Sequence, residues 1–427
     1  MHRSGEARKG KVVIIGLDGV PYSLLRNYAD HDIMPCFKKM MEEGSLHRMY
    51  SSLPEVSSVA WTSLMTGRNP GEHGIFGFME LRQGSYDMVF PNFSDLKTPP
   101  FWESSGLPSV VLNVPQTYPA RPFNGVMTSG FVAPDLKKAT YPERAYTYLA
   151  SIRYRSDVNA NLAIENPTAF FRDLSLTFEK REEAIRHFFQ HEDWRIFIGT
   201  ITETDRLHHF FFNDALDENA RFHAEFVGFY RELDAFLGEM HRNAQREGAV
   251  FLTCSDHGFT PIKSEVYLNQ WLVEAGYLDI SDRTNGLRSI RETSSAFCLD
   301  PSRIYIHLND KYPRGSVRHA EYYHLTDELA LKLTSLSFNG ERVVRKVYRK
   351  EEIFRGPFAE KGPDLYVLPN YGFDLKGAVS KGIVFGTTHF RGMHTYDDAH
   401  LFISLKHDDR SFMIEEIAGM VTGFLGN

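Results

Sequence analysis

The chain has little cysteine, no long apolar run and no block of basic residues. Only three of its 427 residues are cysteines, Cys36, Cys254 and Cys298, and three widely spaced thiols cannot form a full set of disulfides. No apolar run is long enough to span a membrane, and the first residues, MHRSGEARKG, lack the apolar stretch of a signal peptide. These absences predict a cytoplasmic protein that has no membrane partner. Nothing in the sequence indicates the oligomeric state.

The charge balance argues against bulk nucleic acid as a partner. Lys and Arg number 48 and Asp and Glu 55, which gives a net charge of -7 at pH 7, and the basic residues do not cluster. The hydrophobic share of 42% is that of an ordinary globular protein. The length suffices for one large α/β domain with insertions or for two domains.

Strand and helix patterns alternate along the chain, which is typical of a doubly wound, mostly parallel sheet with helices on both faces. Apolar runs predict buried strands at 11–17, 109–114, 196–201 and 249–253, and helical periodicity predicts helices at 34–43, 59–65, 170–190, 218–247 and 412–425. The pattern changes between 277 and 345, which predicts an inserted subdomain. Core strands are expected again at 343–347 and 364–368.

The segment LPEVSSVAWTSLMTGRNPGEHGIFGF, residues 53–78, is the most informative part of the sequence. Ser57 and Ser58 stand in a predicted extended lead, directly before a short helical run. The free N–H groups of a first helical turn favour an anionic group such as a phosphoryl. A serine at this place is therefore a candidate nucleophile. The alternative is that either serine serves only as the helix N-cap, a far commoner role.

Acidic and histidine residues follow the predicted strands. Asp205 and His209 are four residues apart after the strand at 196–201, so a helix there would place both on one face. Because ligands of open α/β sheets bind at the carboxyl ends of the strands, we expect these side chains to gather there. Their oxygen and nitrogen atoms suit two zinc-like ions, although each feature alone also fits an ordinary turn or surface histidine. The complete candidate set is Asp18, one of the two serines Ser57 and Ser58, Asp205, His209, Asp256, His257 and His394.

The order of these residues resembles the alkaline phosphatase superfamily, and most closely its branch of type I phosphodiesterases and nucleotide pyrophosphatases. The segments that agree are IIGLDGV, SSVAWTSLMTGRNPGEHGIFGF, LNVPQTYPA, TSGFVAP, LTCSDHGF, YLNQWLVEAGYL and GPDLYVLPNYGFDLKG. The resemblance implies an alkaline phosphatase-like catalytic domain over 11–427. Within it, 277–345 would be an inserted cap subdomain that shapes the substrate pocket.

The resemblance also implies a metal-dependent hydrolase with two divalent ions, for which zinc is the expected metal and manganese the alternative. Ser57 rather than Ser58 would be the nucleophile, because the family's nucleophile stands four residues before the position of Trp61. The implied reaction is hydrolysis of a small-molecule phosphate ester, a diester or a monoester, through a phosphoseryl intermediate. One ion would be held by Asp18, Ser57, Asp256 and His257, and the other by Asp205, His209 and His394.

Some positions depart from the family pattern and leave alternatives open. Ala60 stands where nucleotide pyrophosphatases have an Asn that donates to the phosphoryl oxygen, which weakens the expectation of a nucleotide substrate. His389 and His400 are alternatives to His394. His208 precedes His209, but on a helix its side chain would point about 100° away from that of His209. A phosphomutase or phosphotransferase of the same superfamily, and a non-catalytic binding protein on the same fold, are the alternative functions.

Overall fold

The computed structural model describes residues 10–426, which fall into two compact units. The first unit comprises the chain up to 68, residues 92–259 and the chain from 394 onwards. The second comprises residues 69–91 and 260–393. All seven candidate site residues belong to the first unit.

A nine-stranded sheet forms the centre of the first unit. Its strands, in order across the sheet, are Phe412–Met413, Ser45–Tyr50, Ala399–Ile403, Ala249–Cys254, Lys11–Leu17, Ile196–Ile201, Ser109–Val114, Gly125–Ser129 and Thr140–Tyr141. The central strand Lys11–Leu17 pairs in parallel with both of its neighbours. Antiparallel pairing involves only Ala399–Ile403 and Thr140–Tyr141 among the described strands of this sheet. The predicted doubly wound, mostly parallel sheet is therefore confirmed.

Both faces of this sheet are covered, which explains why its central strands are apolar throughout. Side chains alternate along the central strand, so that Val13 and Ile15 face one core and Val12 and Ile14 the other. The first core is covered by the helices Tyr22–Asp30, Pro35–Glu43, Glu143–Ser151, Leu162–Glu165, Pro167–His191, Glu203–Leu216 and His223–Arg246. The second core is covered by Ser57–Thr66, Phe101–Ser104 and Glu416–Phe424.

The second unit has its own core and its own sheets. An antiparallel sheet has the strand order Ala296–Leu299, Arg303–Ile306, Leu365–Pro369 and Val344–Arg349, and a second sheet has the order Phe373–Lys376, Ser264–Tyr267 and Phe385–Gly386. Short hairpins pair Glu80–Leu81 with Met88–Val89 and Ser337–Phe338 with Glu341–Arg342. Its helices are Pro70–His73, Leu268–Glu274, Tyr322–Thr334 and Lys350–Ile353. Two further strands, Gly258–Pro261 and Gly392–Thr395, occur where the chain passes from one unit to the other.

Two of the predicted core strands belong to this second unit instead. The strands expected at 343–347 and 364–368 exist, but they pair with each other in the four-stranded sheet. Assigning them to the catalytic core was wrong, because a short apolar run identifies a buried strand without saying which sheet it joins. The insertion predicted at 277–345 lies inside the second unit, and its role as a cap stays a prediction.

Helix boundaries also differ from the prediction. The helices predicted at 34–43, 170–190 and 218–247 extend over Pro35–Glu43, Pro167–His191 and His223–Arg246. The helix expected at 59–65 begins at Ser57, after an extended Val56, so the prediction that both serines lie in an extended lead was wrong. The final helix begins at Glu416, since Phe412–Met413 forms an edge strand. Within residues 10–426, no helix combines the length and the apolarity that crossing a membrane requires.

Candidate active site

Ser57 is the first residue of its helix, and its side chain lies against an acidic and a histidine residue. Its Oγ is 3.3 Å from Asp18 Oδ1 and 3.3 Å from His257 Nε2. The neighbouring Ser58 is fully buried, and its Oγ has no hydrogen-bond partner among residues 10–426. Successive residues on a helix point about 100° apart, so the helical start separates the two hydroxyls.

Asp18 follows the last residue of the central strand and is fixed by two neighbouring elements. Trp61 Nε1 donates to Asp18 Oδ2 at 3.2 Å, and Thr204 Oγ1 donates to the backbone carbonyl of Asp18 at 2.6 Å. Trp61 lies one turn after Ser57, so a single helix supplies both the hydroxyl and a donor that orients the carboxylate. In the sequence, Trp61 served only to locate the nucleophile four residues before it. That spacing also indicates that Ser57 and Trp61 share a helix face.

Asp256 and His257 follow the strand next to the central one and are tied to the turn after Asp18. Gly19 N–H donates to Asp256 Oδ1 at 3.0 Å. Gly19 has φ +67°, and a Cβ there would lie 2.5 Å from the Phe259 ring, so a side chain is excluded by both strain and space. His257 Nδ1 lies 3.1 Å from the carbonyl of Gly258. Donation to that carbonyl leaves the His257 Nε2 lone pair facing the serine, which is the tautomer of a metal ligand.

Asp205, His209 and His394 form a second group in the same unit. Asp205 Oδ1 lies 3.4 Å from His209 Nε2 and 3.3 Å from His394 Nε2. The two histidine nitrogens are 3.1 Å apart. His394 Nδ1 is 3.0 Å from the carbonyl of Glu55, so the ring is held with Nε2 towards the group. The structure thus brings together all seven residues that the sequence nominated, in two adjacent groups.

His208, the neighbour of His209, has a different role. It is fully buried, with Nδ1 3.0 Å from the carbonyl of Gly19 and Nε2 2.7 Å from the hydroxyl of Tyr230. Burial lowers the pKa of His208 to about 3, so the ring is neutral. Both of its nitrogens are already engaged in hydrogen bonds that connect the Asp18 turn to the helical layer.

The alternatives to His394 are placed differently. His400 is fully buried, with Nδ1 2.9 Å from the carbonyl of Val20 and Nε2 3.1 Å from Thr253 Oγ1. Neither nitrogen could bind an ion without losing these contacts. His389 belongs to the second unit. Among the three histidines, His394 is the one that lies within 3.3 Å of a candidate carboxylate.

Two carboxyl groups in the site are buried close to each other. Burial, followed by the negative charges of Asp256 and Asp205, raises the pKa of Asp18 well above its usual value. Burial also raises the pKa of Asp256 to about 6. Asp256 Oδ2 and Asp205 Oδ1 are buried and accept no well-aligned hydrogen bond from residues 10–426. A buried carboxylate oxygen without a donor is costly, and a cation bound beside Asp256 would remove that cost. Asp205 Oδ1 has the nitrogens of His209 and His394 beside it.

The second group has the opposite electrostatic balance. Burial acts to raise the pKa of Asp205, but the neighbouring charges of His209 and His394 outweigh it and hold the pKa below its usual value. Burial acts to lower the pKa of His394, but the contact of His394 with Asp205 outweighs burial and raises the pKa.

In the serine group, burial lowers the pKa of His257 well below its usual value. His257 is therefore a neutral imidazole, as a ligand must be.

The donor atoms fit divalent cations in kind and spacing. Two sets of three ligand atoms, each set within 4.8 Å, come from Asp18, Asp256 and His257 and from Asp205, His257 and His394. Zinc bonds to nitrogen and oxygen are about 2.0–2.2 Å long, so two ligands of one tetrahedral ion lie about 3.3 Å apart. The contacts within the second group, 3.1–3.4 Å, agree with that spacing.

Buried carboxylates, imidazoles and a helix-start serine meet at the carboxyl edge of the α/β sheet, as the resemblance to the alkaline phosphatase superfamily implies. The sequence profile described as type I phosphodiesterase / nucleotide pyrophosphatase matches residues 12–397. The chain belongs to this family, which confirms the resemblance, and it is therefore a phosphoester hydrolase by family. No curated protein sequence matches the chain.

Several solved structures share this fold. Phosphonoacetate hydrolase from Sinorhizobium meliloti 1021, in complex with phosphonoacetate, superposes with a TM-score of 0.67 at 15% identity, over 98% of this chain and 96% of that chain. An inactive variant of murine ectonucleotide pyrophosphatase/phosphodiesterase 5, in complex with AMP, gives 0.57 at 13% identity, over 98% and 95%. The human form gives 0.57 at 13%, over 97% and 95%. At such identities the likeness shows the fold.

Proposed function

We propose that the protein hydrolyses a small-molecule phosphate ester, with Ser57 as the nucleophile beside two bound divalent ions. The observation that carries this proposal is the position of Ser57 Oγ, 3.3 Å from both Asp18 Oδ1 and His257 Nε2. An isolated serine hydroxyl is a poor nucleophile at neutral pH. A serine that serves only as a helix cap has no need of a buried carboxylate and a neutral imidazole.

Zinc is the proposed metal, because the donor set mixes carboxylate oxygens with imidazole nitrogens, and manganese is the alternative. Bound ions of this kind supply positive charge that lowers the pKa of a coordinated hydroxyl and stabilises negative phosphoryl oxygens. One ion would be held by Asp18, Ser57, Asp256 and His257, and the other by Asp205, His209 and His394.

The first turn of the serine helix offers a donor for the phosphoryl oxygen. The N–H groups of Val59 and Ala60 both donate to the carbonyl of Val56, at 2.9 Å each. The N–H of Ser58 makes no hydrogen bond within residues 10–426, as is typical of a first helical turn. Because Ala60 cannot supply the amide that related pyrophosphatases use, we assign the role of oxyanion donor to Ser58 N–H.

The relatives support a substrate with a phosphorus oxyanion. AMP and phosphonoacetate, which are bound in two of the structures of similar fold, share a terminal phosphorus group and differ in everything attached to it. The proposed site suits that shared group, because its hydroxyl would attack phosphorus, and its N–H donor and the ions held by its ligands would contact the phosphorus oxygens. We therefore propose small phosphoesters as the substrate class. The experiment below addresses which leaving group is released.

The test is hydrolysis of bis-p-nitrophenyl phosphate and p-nitrophenyl phosphate by purified protein loaded with zinc or manganese. We expect release of p-nitrophenol from at least one of them, and its loss in Ser57→Ala. The substrate that is preferred decides between diester and monoester hydrolysis. Absence of hydrolysis in the loaded protein, or undiminished hydrolysis in Ser57→Ala, would contradict the proposal.

A further inference from the structure

Arg206 follows Asp205 in the chain, and its guanidinium group is held from several sides. Arg206 Nε and Nη2 donate to the two carboxylate oxygens of Asp157, at 3.1 and 2.7 Å. The guanidinium also lies over the Phe131 ring, 4.4 Å from its centroid. Its side chain is only 19% exposed. A fork-to-fork pair of this kind fixes the plane and direction of the guanidinium as well as its charge.

The third nitrogen of Arg206 lies beside the candidate site. Arg206 Nη1 is 3.7 Å from Asp205 Oδ2. The other oxygen of the same carboxylate, Oδ1, faces His209 and His394 at 3.4 and 3.3 Å. The two oxygens of Asp205 therefore have separate surroundings, with the guanidinium on one side and the histidine nitrogens on the other.

We propose that Arg206, clamped by Asp157, is a positioning residue that turns Asp205 so that Oδ1 meets the ion shared with His209 and His394. The proposal rests on the proposed function for one point, that Asp205 is a metal ligand. A carboxylate free to rotate would present either oxygen, whereas a fixed positive charge beside Oδ2 favours one orientation. Groups that orient a ligand in this way typically contribute about 10- to 100-fold to metal affinity.

The same unit contains a matched arginine for comparison. Arg121 donates to both oxygens of Glu103, at 2.8 and 2.7 Å, and lies over the Phe93 ring at 4.0 Å. Within residues 10–426 its contacts involve Glu103 and Phe93 alone. Arg121 thus reproduces the carboxylate fork and the aromatic contact of Arg206 without any candidate ligand beside it. A substitution of Arg121 therefore measures the effect of losing a bidentate arginine–carboxylate pair that lies away from the candidate ligands.

The experiment is a zinc titration in competition with a chromophoric chelator, on the full chain stripped of metal. We expect Arg206→Gln to weaken one of the two sites about 10- to 100-fold, and Arg121→Gln to leave both affinities unchanged. Arg206→Lys, which keeps the charge but loses the fork, should fall between these values. Asp157→Asn weakens the clamp but leaves Arg206 in place. It should also weaken zinc binding at the site that Arg206→Gln weakens.

Non-additivity separates positioning from a general loss of structure. If Arg206 acts through Asp205, adding Arg206→Gln to Asp205→Asn should change zinc affinity no further, whereas independent effects would add. Equal zinc affinity in wild type and Arg206→Gln would overturn the inference and leave the proposed function standing. An equal loss in Arg121→Gln, or full additivity in the double variant, would overturn it as well. Wild-type protein that binds no zinc would overturn both.

Discussion

The imidazole rings of His257 and His394 stack, with centroids 3.5 Å apart and 20° between their planes. His257 presents Nε2 to Ser57, and His394 presents Nε2 to Asp205. The two histidines are 137 residues apart in the sequence, yet their rings form the contact between the serine group and the second group of ligands. This contact is why we treat the seven residues as one site with two metal positions.

Elemental analysis of reconstituted protein should find two divalent ions per chain. Asp205→Ala and His209→Ala should each lower this number to one, because each removes a ligand from the second group while leaving the serine group intact. Chelators should abolish activity. Full occupancy in both variants would mean that the ligands of the second group are assigned wrongly.

His208→Ala is the matched control for the His209 variant. His208 should not affect the number of bound ions, since its nitrogens contact Gly19 and Tyr230. The substitution should instead lower the free energy of unfolding, by about 1–3 kcal/mol for each buried polar group left without a partner. Urea denaturation of the metal-free protein measures this loss. Unchanged stability together with the loss of an ion would reverse the roles of the two histidines.

Zinc affinity at the position held by Asp18, Asp256 and His257 should fall below about pH 6, where Asp256 becomes protonated. Burial raises the pKa of Asp256 to about 6 in the metal-free fold, and an ion must displace that proton, so affinity should drop about tenfold per pH unit below this value. Above pH 6 this group contributes no further change. Competitive titrations between about pH 5 and 7.5 measure the effect. A zinc affinity that stays constant below about pH 6 would contradict it.

The same carboxyl has a second consequence, with a definite sign. In the unfolded chain Asp256 loses its proton near pH 4, whereas in the folded, metal-free protein it keeps the proton to about pH 6. The folded state therefore holds more protons between these values, and the contribution of this group to stability falls as pH rises through the window. Asp256→Asn should remove that contribution from the pH dependence of metal-free unfolding. An identical pH dependence in the variant would contradict it.

Much of the fold could be predicted because its central strands are continuously apolar. The strands 11–17, 109–114 and 196–201 were predicted with the bounds that the structure gives. Ser45–Tyr50 and Ala399–Ile403 were missed, since the first, SLHRMY, mixes polar and apolar residues without strict alternation and the second contains a buried His400. Local patterns report burial and period, and they carry little information about pairing between distant strands.

The candidate site was predictable in its residue types but not in its supports. Residue types and spacing gave the candidates, and the family resemblance selected Ser57 over Ser58 and His394 over His389 and His400. The structure brings the seven residues together. The Trp61 donor to Asp18 and the Asp157 clamp on Arg206 were not predicted. Those contacts join elements that are distant in sequence, so no spacing rule reveals them. The adjacency of Arg206 and Asp205 in the sequence was the one available signal.

Ser57→Ala should lower kcat by at least about a thousandfold, because it removes the hydroxyl on which the proposed covalent intermediate would form. Ser57→Thr keeps a hydroxyl at the same atom and should retain measurable activity. Ser58→Ala is the matched control. It removes a buried hydroxyl that has no hydrogen-bond partner in the described part of the chain, and it keeps the backbone N–H. Steady-state kinetics on the better of the two nitrophenyl substrates compares the three variants. An inactive Ser58→Ala variant together with an active Ser57→Ala variant would mean that Ser58, and not Ser57, is the nucleophile.

The most direct test of the central claim is mass spectrometry of the wild-type protein after acid quenching during turnover. If Ser57 is the nucleophile, a fraction of the chains should carry one phosphoryl group, and peptide fragmentation should locate it on Ser57. The modification should be absent from Ser57→Ala and from protein quenched without substrate. A phosphoryl group on any other residue, or an actively turning-over enzyme that never carries one, would contradict the account.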